Sequence, residues 1–347
     1  MNQPQHAPRL NRRALLLGTG AALALPHMAR AAVMDLKVSL SAPYDGSTAP
    51  FFLGMQRKYY EDVGLRPQFD TSGGAVESIG RVGSGAYDYA VGDINVLMDF
   101  DARNADKAPS AIYMLYYRSP LSVITFAKAD ISKPADLAGK TLGAAVTDGA
   151  YRLFPAYCKQ AGIDPNAVKW KFVDLRLREA LLLRGDVDAI LGFDSTSYFN
   201  LLKGGAKPAD VKFLYYSDAG MPLYGNCLIG AKKHIDTDPD LTKRFLTASA
   251  RSWQAAMSDP DAAIAALRVQ EGLIDVTLET ERLKWVIKNQ LISDESRASG
   301  MGMVQPERLA KAIALVKDGF GLPVAPDAGL VYTPAFLPAA DVRKVPV

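Results

Sequence analysis

Two stretches of the chain, one hundred residues apart, read almost alike: Gly85-Ala86-Tyr87-Asp88-Tyr89-Ala90-Val91-Gly92 and Gly185-Asp186-Val187-Asp188-Ala189-Ile190-Leu191-Gly192. Each follows an apolar helical stretch, Val76 to Val82 in the first case and Ala180 to Leu183 in the second. Glycine ends the helix because it tolerates the left-handed backbone of a C-cap. Aspartate sits in the turn, and an unbroken apolar run follows, as in a strand covered on both faces. The run stops at Gly92 or Gly192, at the carboxyl end of its strand, where open α/β sheets hold ligands. Two such units predict two similar α/β lobes facing a shared cleft. Taken alone, Gly-x-x-Asp before an apolar run is also an ordinary helix-to-strand turn, so the rest of the chain has to support the reading.

Residues 1–31 read as an export signal and are set aside from the fold. Arg12 and Arg13 lead an apolar stretch from Ala14 to Leu25, and Ala29-Arg30-Ala31 has the small-x-small form of a cleavage site, placing the cut near Ala31. The stretch falls short of the roughly 20 residues of a transmembrane helix. Asn11-Arg12-Arg13-Ala14-Leu15-Leu16 resembles a twin-arginine signal, with Asn where Ser or Thr is usual; ordinary secretory signals also carry arginine pairs. The expected location is periplasmic.

Removing this segment changes the charge argument. It holds four arginines (9, 12, 13 and 30) and no acid, so the formal charge falls from +3 to −1. No basic run follows, which argues against a nucleic-acid partner. Losing 31 of 347 residues still leaves enough chain for two ordinary domains. One histidine remains, His234, in the charged stretch Lys232-Lys233-His234, where a solvated loop residue is expected. A histidine-based metal site is therefore not expected, nor is any cofactor. Cys158 and Cys227 are not in a CxxC arrangement. Export permits a disulfide between them, and two buried thiols are the alternative.

The first strand begins at Leu36–Leu40. A loop, Ala42 to Thr48, leads into a helix from Ala49 to Tyr60 that is expected to turn Phe51, Phe52, Met55 and Tyr59 inward. Arg66 to Thr71 is the second strand, and Gly73-Gly74 opens the helix before the first repeat. The long β-prone stretch Ala111 to Phe126 is interrupted at Arg118-Ser119-Pro120. A new unit starts at Ile131, with strand Thr141 to Val146, helix Ala150 to Ala161, strand Lys169 to Val173, a helix and the second repeat. From Asp240 the pattern is helical, with Phe245, Ala248, Trp253 and Met257 at amphipathic spacing.

Three segments carry a family resemblance: Ser132-Lys133-Pro134-Ala135-Asp136-Leu137-Ala138-Gly139-Lys140-Thr141, then Ala180-Leu181 through Gly185-Asp186-Val187-Asp188-Ala189, and Tyr224-Gly225-Asn226. In this order and spacing they resemble the periplasmic solute-binding proteins of nitrate/taurine/sulfonate-type ABC transporters, a family that includes binding proteins for thiamine pyrimidine precursors. The similarity runs from about Leu36 to about Leu315. It implies the type II periplasmic binding protein fold: two α/β lobes joined by two crossing segments, near 118–130 and 222–230, that close on a ligand by hinge motion. The implied layout is lobe one at 32–127 and 226–347, with C-terminal helices packed mainly on it, and lobe two at 128–225. The implied partners are a small-molecule solute and ABC permease subunits of the inner membrane, with the protein a monomer and not an enzyme.

If the lobes face each other, the ligand meets strand ends and helix N-termini, which offer unpaired N–H groups. Gly73-Gly74 and Thr147-Asp148-Gly149 occupy that position; simple capping by Ser72 and Asp148 is the alternative. Arg118 interrupts an apolar stretch at the crossing and could hold an anion in a bidentate pair; an interlobe salt bridge is the other reading. Arg176 is a second cationic candidate. Asp93 and Asp194 follow the two repeat strands, facing a ligand with N–H donors or capping the next helix. Tyr44, Thr48, Phe51, Phe193 and Tyr224 complete the expected site, with the aromatic rings offering stacking faces for a flat solute.

Two rival classes bear on this reading. Fungal pyrimidine synthases share the implied fold but carry a cysteine-rich motif, which two separated cysteines do not supply. A ligand-binding sensor subunit is the other. A hydrolase is disfavoured because Gly-x-Ser-x-Gly is absent.

Overall fold

The computed structural model describes Met1 and residues 33–346, so the export signal expected over 1–31 lies, apart from Met1, outside the described residues. The two repeats adopt the same local structure. Gly85 and Gly185 are left-handed at φ 78° and 76°. The Asp88 N–H donates to the Lys37 carbonyl (2.9 Å) while its carboxylate accepts from the Lys37 N–H (2.8 Å). Asp188 does the same with Thr141, at 2.8 and 2.7 Å. Each repeat thus ties its turn to the parallel strand beside it, which is why aspartate stands in that turn.

Lobe one opens with β1 (Met34–Leu40), α1 (Ala49–Gln56), β2 (Leu65–Thr71), α2 (Ala75–Gly83), β3 (Tyr89–Asp93), α3 (Ile94–Arg103) and β4 (Ser110–Met114). Lobe two holds β5 (Leu121–Phe126), β6 (Thr141–Ala144), α4 (Gly149–Ala161), β7 (Lys169–Phe172), α5 (Arg178–Arg184), β8 (Ala189–Phe193), α6 (Asp194–Lys203) and β9 (Val211–Tyr215). The chain returns as β10 (Asn226–Gly230) and continues through α7 (Lys232–Thr237), α8 (Pro239–Ser258), α9 (Pro260–Gln270) and α10 (Val276–Val286). One π-helical turn (Ile287–Leu291), α11 (Asp294–Ser299), α12 (Pro306–Gly319) and α13 (Ala328–Val331) follow.

The sheets have matching orders, β2-β1-β3-β10-β4 and β7-β6-β8-β5-β9. In each, the repeat strand lies at the centre, parallel to β1 or β6 and antiparallel to β10 or β5. These central strands are buried along almost their whole length, which explains their lack of polar alternation.

Three expectations are corrected. The boundary expected at 127/128 falls after β5, which is hydrogen-bonded to β8 and β9 and so belongs to lobe two; the crossings are 115–120 and 216–225. Of the C-terminal helices, α8 and α9 cover α1, α10 packs on α6, and α12 lies against both α3 and α4. His234 is no loop residue but sits in α7, mostly buried, its Nε2 2.8 Å from Asp88 and its ring stacked on Tyr89. The helix after Ala49 also stops at Gln56, leaving Met55 exposed. Cys158 and Cys227 are buried free thiols. Among the described residues no helix is long and apolar enough to cross a membrane, and no cluster of His, Cys, Asp or Glu could hold a metal ion.

Candidate functional site

The carboxyl ends of β1 and β3, the N-terminus of α1 and the first crossing enclose a cavity of roughly 10 Å³, room for about one water molecule. Ser41, Thr48, Phe51, Tyr116, Asn226 and Trp253 are among its lining residues. Two of them bring buried polar atoms with no protein partner: the Trp253 indole Nε1 and the Asn226 Oδ1. Trp253 is 1% exposed and Asn226 8%. An unmade hydrogen bond at such depth costs about 1–3 kcal/mol, which makes these atoms candidates for binding a ligand. The Tyr116 hydroxyl meets Ser47 and Asn226, and burial, with the nearby Asp45 and Asp194 carboxylates, raises its pKa. A larger groove, about 660 Å³, lies on the outer side of lobe one between Arg57, Arg251 and Lys344. None of its lining residues carries a buried unpartnered polar atom.

The lobes touch around the cavity. Gly149 at the start of α4 meets Val96 of α3, and Gly74 of lobe one meets Leu175 of lobe two. Arg152 of α4 grips Asp99 of α3 through two bonds, 2.6 and 3.0 Å. On the other side α10 bridges the lobes. Glu279 accepts from the Gly46 N–H (2.7 Å), and Arg282 donates to Glu279 (2.8 Å) and to the Ser195 carbonyl (2.9 Å). Both side chains are buried, and Asp45 lies 3.7 Å from Arg282.

The expected residues fall into three groups. Thr48 and Phe51 line the cavity; the Thr48 hydroxyl is bonded to the Asp45 carbonyl (3.0 Å), and Phe51 packs edge-on against Trp253. Asp93 lies beside them, paired across the sheet with Asn226 and on the same pleat face as Val91, which also lines the cavity. Its Oδ1 caps α3 through Asn95 and its Oδ2 has no partner. Burial pushes its pKa up to about 6 against those hydrogen bonds.

A second group is engaged with the protein itself. Asp194, fully buried, accepts from Ser195 N–H (2.5 Å), Tyr215 (2.9 Å), Trp285 (3.0 Å) and Gln290 (2.8 Å), and burial raises its pKa to about 6. The π turn points Gln290 at this carboxylate, while its carbonyl accepts from Tyr117 and Arg118 of the first crossing. Tyr224 donates to Glu295 (2.6 Å) under the Arg308 guanidinium. Tyr44 donates to the Phe69 carbonyl (2.6 Å). Asp148 caps α4 and pairs with Arg178, a buried arginine that also holds Glu179 and Ser197. The Gly73 N–H is taken by Glu77 (2.7 Å), so this helix start already carries an anion.

The third group lies at the surface. Arg118 is half exposed, 3.4 Å from Asp218 and stacked over Tyr215. An exposed pair of this kind is worth about 0–1 kcal/mol. Arg176 and Thr147 are exposed, Arg176 lying near Glu77, and Phe193 is partly buried at the end of β8. Trp253 and Asn226, the cavity-lining residues with unpartnered polar atoms, are not among the expected site residues. Trp253 reads as one more core position of α8, and Asn226 appears only within the return-strand motif.

Two five-stranded α/β lobes joined by two crossings define the two-lobed periplasmic-binding-protein fold. The chain belongs to the NMT1/THI5 like family, which matches residues 46–263. Among solved structures it is similar to the alkanesulfonate-binding protein SsuA from Xanthomonas axonopodis pv. citri bound to MOPS, at 14% identity and TM-score 0.67 over 87% of this chain and 100% of that one. The periplasmic aliphatic sulphonate binding protein SsuA from Escherichia coli gives 14% identity and TM-score 0.67 over 85% and 96%. A Candida albicans gene product with the generic periplasmic binding protein structural fold gives 18% and 0.64 over 88% and 98%. At these identities the likeness concerns the fold. No curated protein matches the chain in sequence.

Proposed function

We propose that this chain is the extracytoplasmic solute-binding component of an ABC importer, capturing a small organic solute between its lobes and handing it to inner-membrane permease subunits as a periplasmic monomer. The observation that carries the reading is the small cavity on the lobe-one side of the first crossing, where buried Trp253 and Asn226 present unpaired polar atoms. Parting of the lobes would admit the solute, and closure would exclude water and strengthen each polar contact. The likeness to solved sulfonate-binding proteins supports a solute-binding role.

The test is native mass spectrometry of the freshly purified protein, followed by melting curves against sulfonates, aromatic carboxylates, amides and aminopyrimidines. A solute at 100 times its Kd adds about 2.7 kcal/mol, a rise of a few degrees. Stoichiometric, unaltered solute supports the reading; turnover of the solute would move the protein to the enzyme class.

A further inference from the structure

The polar groups buried around the crossing are unbalanced. Four acceptors lack partners: Asp93 Oδ2, Asn95 Oδ1, Asn226 Oδ1 and Gln290 Oε1. The Asn95 and Gln290 assignments follow from chemistry, because their NH₂ groups are held by the Asp93 and Asp194 carboxylates, leaving the carbonyl oxygen as the free end. Against them stand two unpartnered groups able to donate, Trp253 Nε1 in the cavity wall and the Tyr157 hydroxyl, whose ring stacks on Tyr216 of the second crossing. The nearby cations are already committed. Arg178 is held by Asp148 and Glu179, Arg282 by Glu279, Arg308 by Glu295 and Arg152 by Asp99. Arg118 and Arg176 stay on the surface. A sulfonate or carboxylate driven to this depth would meet acceptors and carboxylates without a free cation, the costly case for burying charge.

We propose that the inner end of the site selects a neutral group that presents N–H donors beside one acceptor, as a primary carboxamide does, and rejects an anion there. The N–H groups satisfy Asp93 and Asn226, and the acceptor takes the Trp253 indole N–H. This rests on the solute-binding reading above, and it separates this chain from the sulfonate-binding proteins that share its fold.

Three probes of one shape test it: benzamide, benzoate and benzenesulfonate, measured by calorimetry and melting temperature at pH 7.5 in phosphate buffer. The expected result is binding of benzamide at least tenfold tighter than either anion. Asp93→Asn, which still caps α3, should weaken benzamide about tenfold while the unliganded melting temperature stays within a few degrees. Tighter binding of benzoate or benzenesulfonate overturns the proposal and leaves the binding-protein reading standing. If none of the three binds, a solute released from the purified protein decides: a nitrogen donor group supports the proposal and an inner anion overturns it. A chain that carries no solute and binds none of the three probes overturns the proposal and leaves the binding-protein reading to the wider solute panel above.

Discussion

Asp101 sits on the inward face of α3, 2% exposed, with neither carboxylate oxygen partnered. Burial alone pushes its pKa up to about 8. The unfolded chain releases this proton near pH ~4, so between pH 4 and 8 the folded state holds more protons and stability falls as pH rises. The slope from one such group is up to about 1.4 kcal/mol per pH unit. Asp93 and Asp194, both raised to about 6, act in the same direction up to that pH. Asp101→Asn is expected to flatten urea-derived stability between pH 6 and 8 and to leave below pH 6 a shallower slope, the part contributed by Asp93 and Asp194. Parallel curves for both proteins would show that Asp101 does not titrate in this range. At this scale the sequence was half legible. Asp93 and Asp194 announced themselves by following apolar strands, whereas Trp253 differs from its core neighbours only in lacking a hydrogen-bond partner, which no pattern of residues records.

Turns and helices show where local chemistry was enough. Gly85 and Gly185 have positive φ and open space where a Cβ would stand. Gly85→Ala and Gly185→Ala should therefore each cost about 1–2 kcal/mol from backbone strain alone, and by similar amounts, since the two turns are built alike. Unequal losses in chemical unfolding would mean that one lobe tolerates the strain by shifting its turn. Gly46 differs: a Cβ there would collide with the Glu279 carbonyl. Gly46→Ala should cost about 1–3 kcal/mol and loosen α10, read as faster hydrogen exchange over 276–286. The elements themselves were legible from glycine stops and apolar runs. The partner of β5 was not, because a strand's neighbours depend on the path of the whole chain.

Across the molecule the crossings are pinned from outside. Arg308 donates to the carbonyls of Tyr117 and Leu223 and to Pro222, and pairs with Glu295 at 2.8 Å. Arg308→Met would strand these acceptors, with an expected loss of about 3–5 kcal/mol. Arg308→Lys should recover only part of it, because an ammonium cannot fork across both crossings. Hydrogen exchange should rise at 115–120 and 216–225 in both variants while the sheet centres stay protected. Exchange spread evenly over both lobes would instead make Arg308 a general stability residue. The sequence reached the two-lobe plan through its repeat, but not this pin, since contacts between distant helices leave no local signature.

All five strands of the second sheet lie within residues 121–215, whereas the first sheet must wait for β10 at 226 to cover the edge of β3. The second lobe is thus a self-contained insertion, and during refolding β3 stands with an open apolar edge until the chain beyond the insertion arrives. Such an edge invites pairing with another molecule. Pulse-labelled exchange should find β5–β9 protected before β3, and crowding during refolding should trap chains through that edge. Order of assembly, more than final stability, then governs how much of this protein reaches its native form.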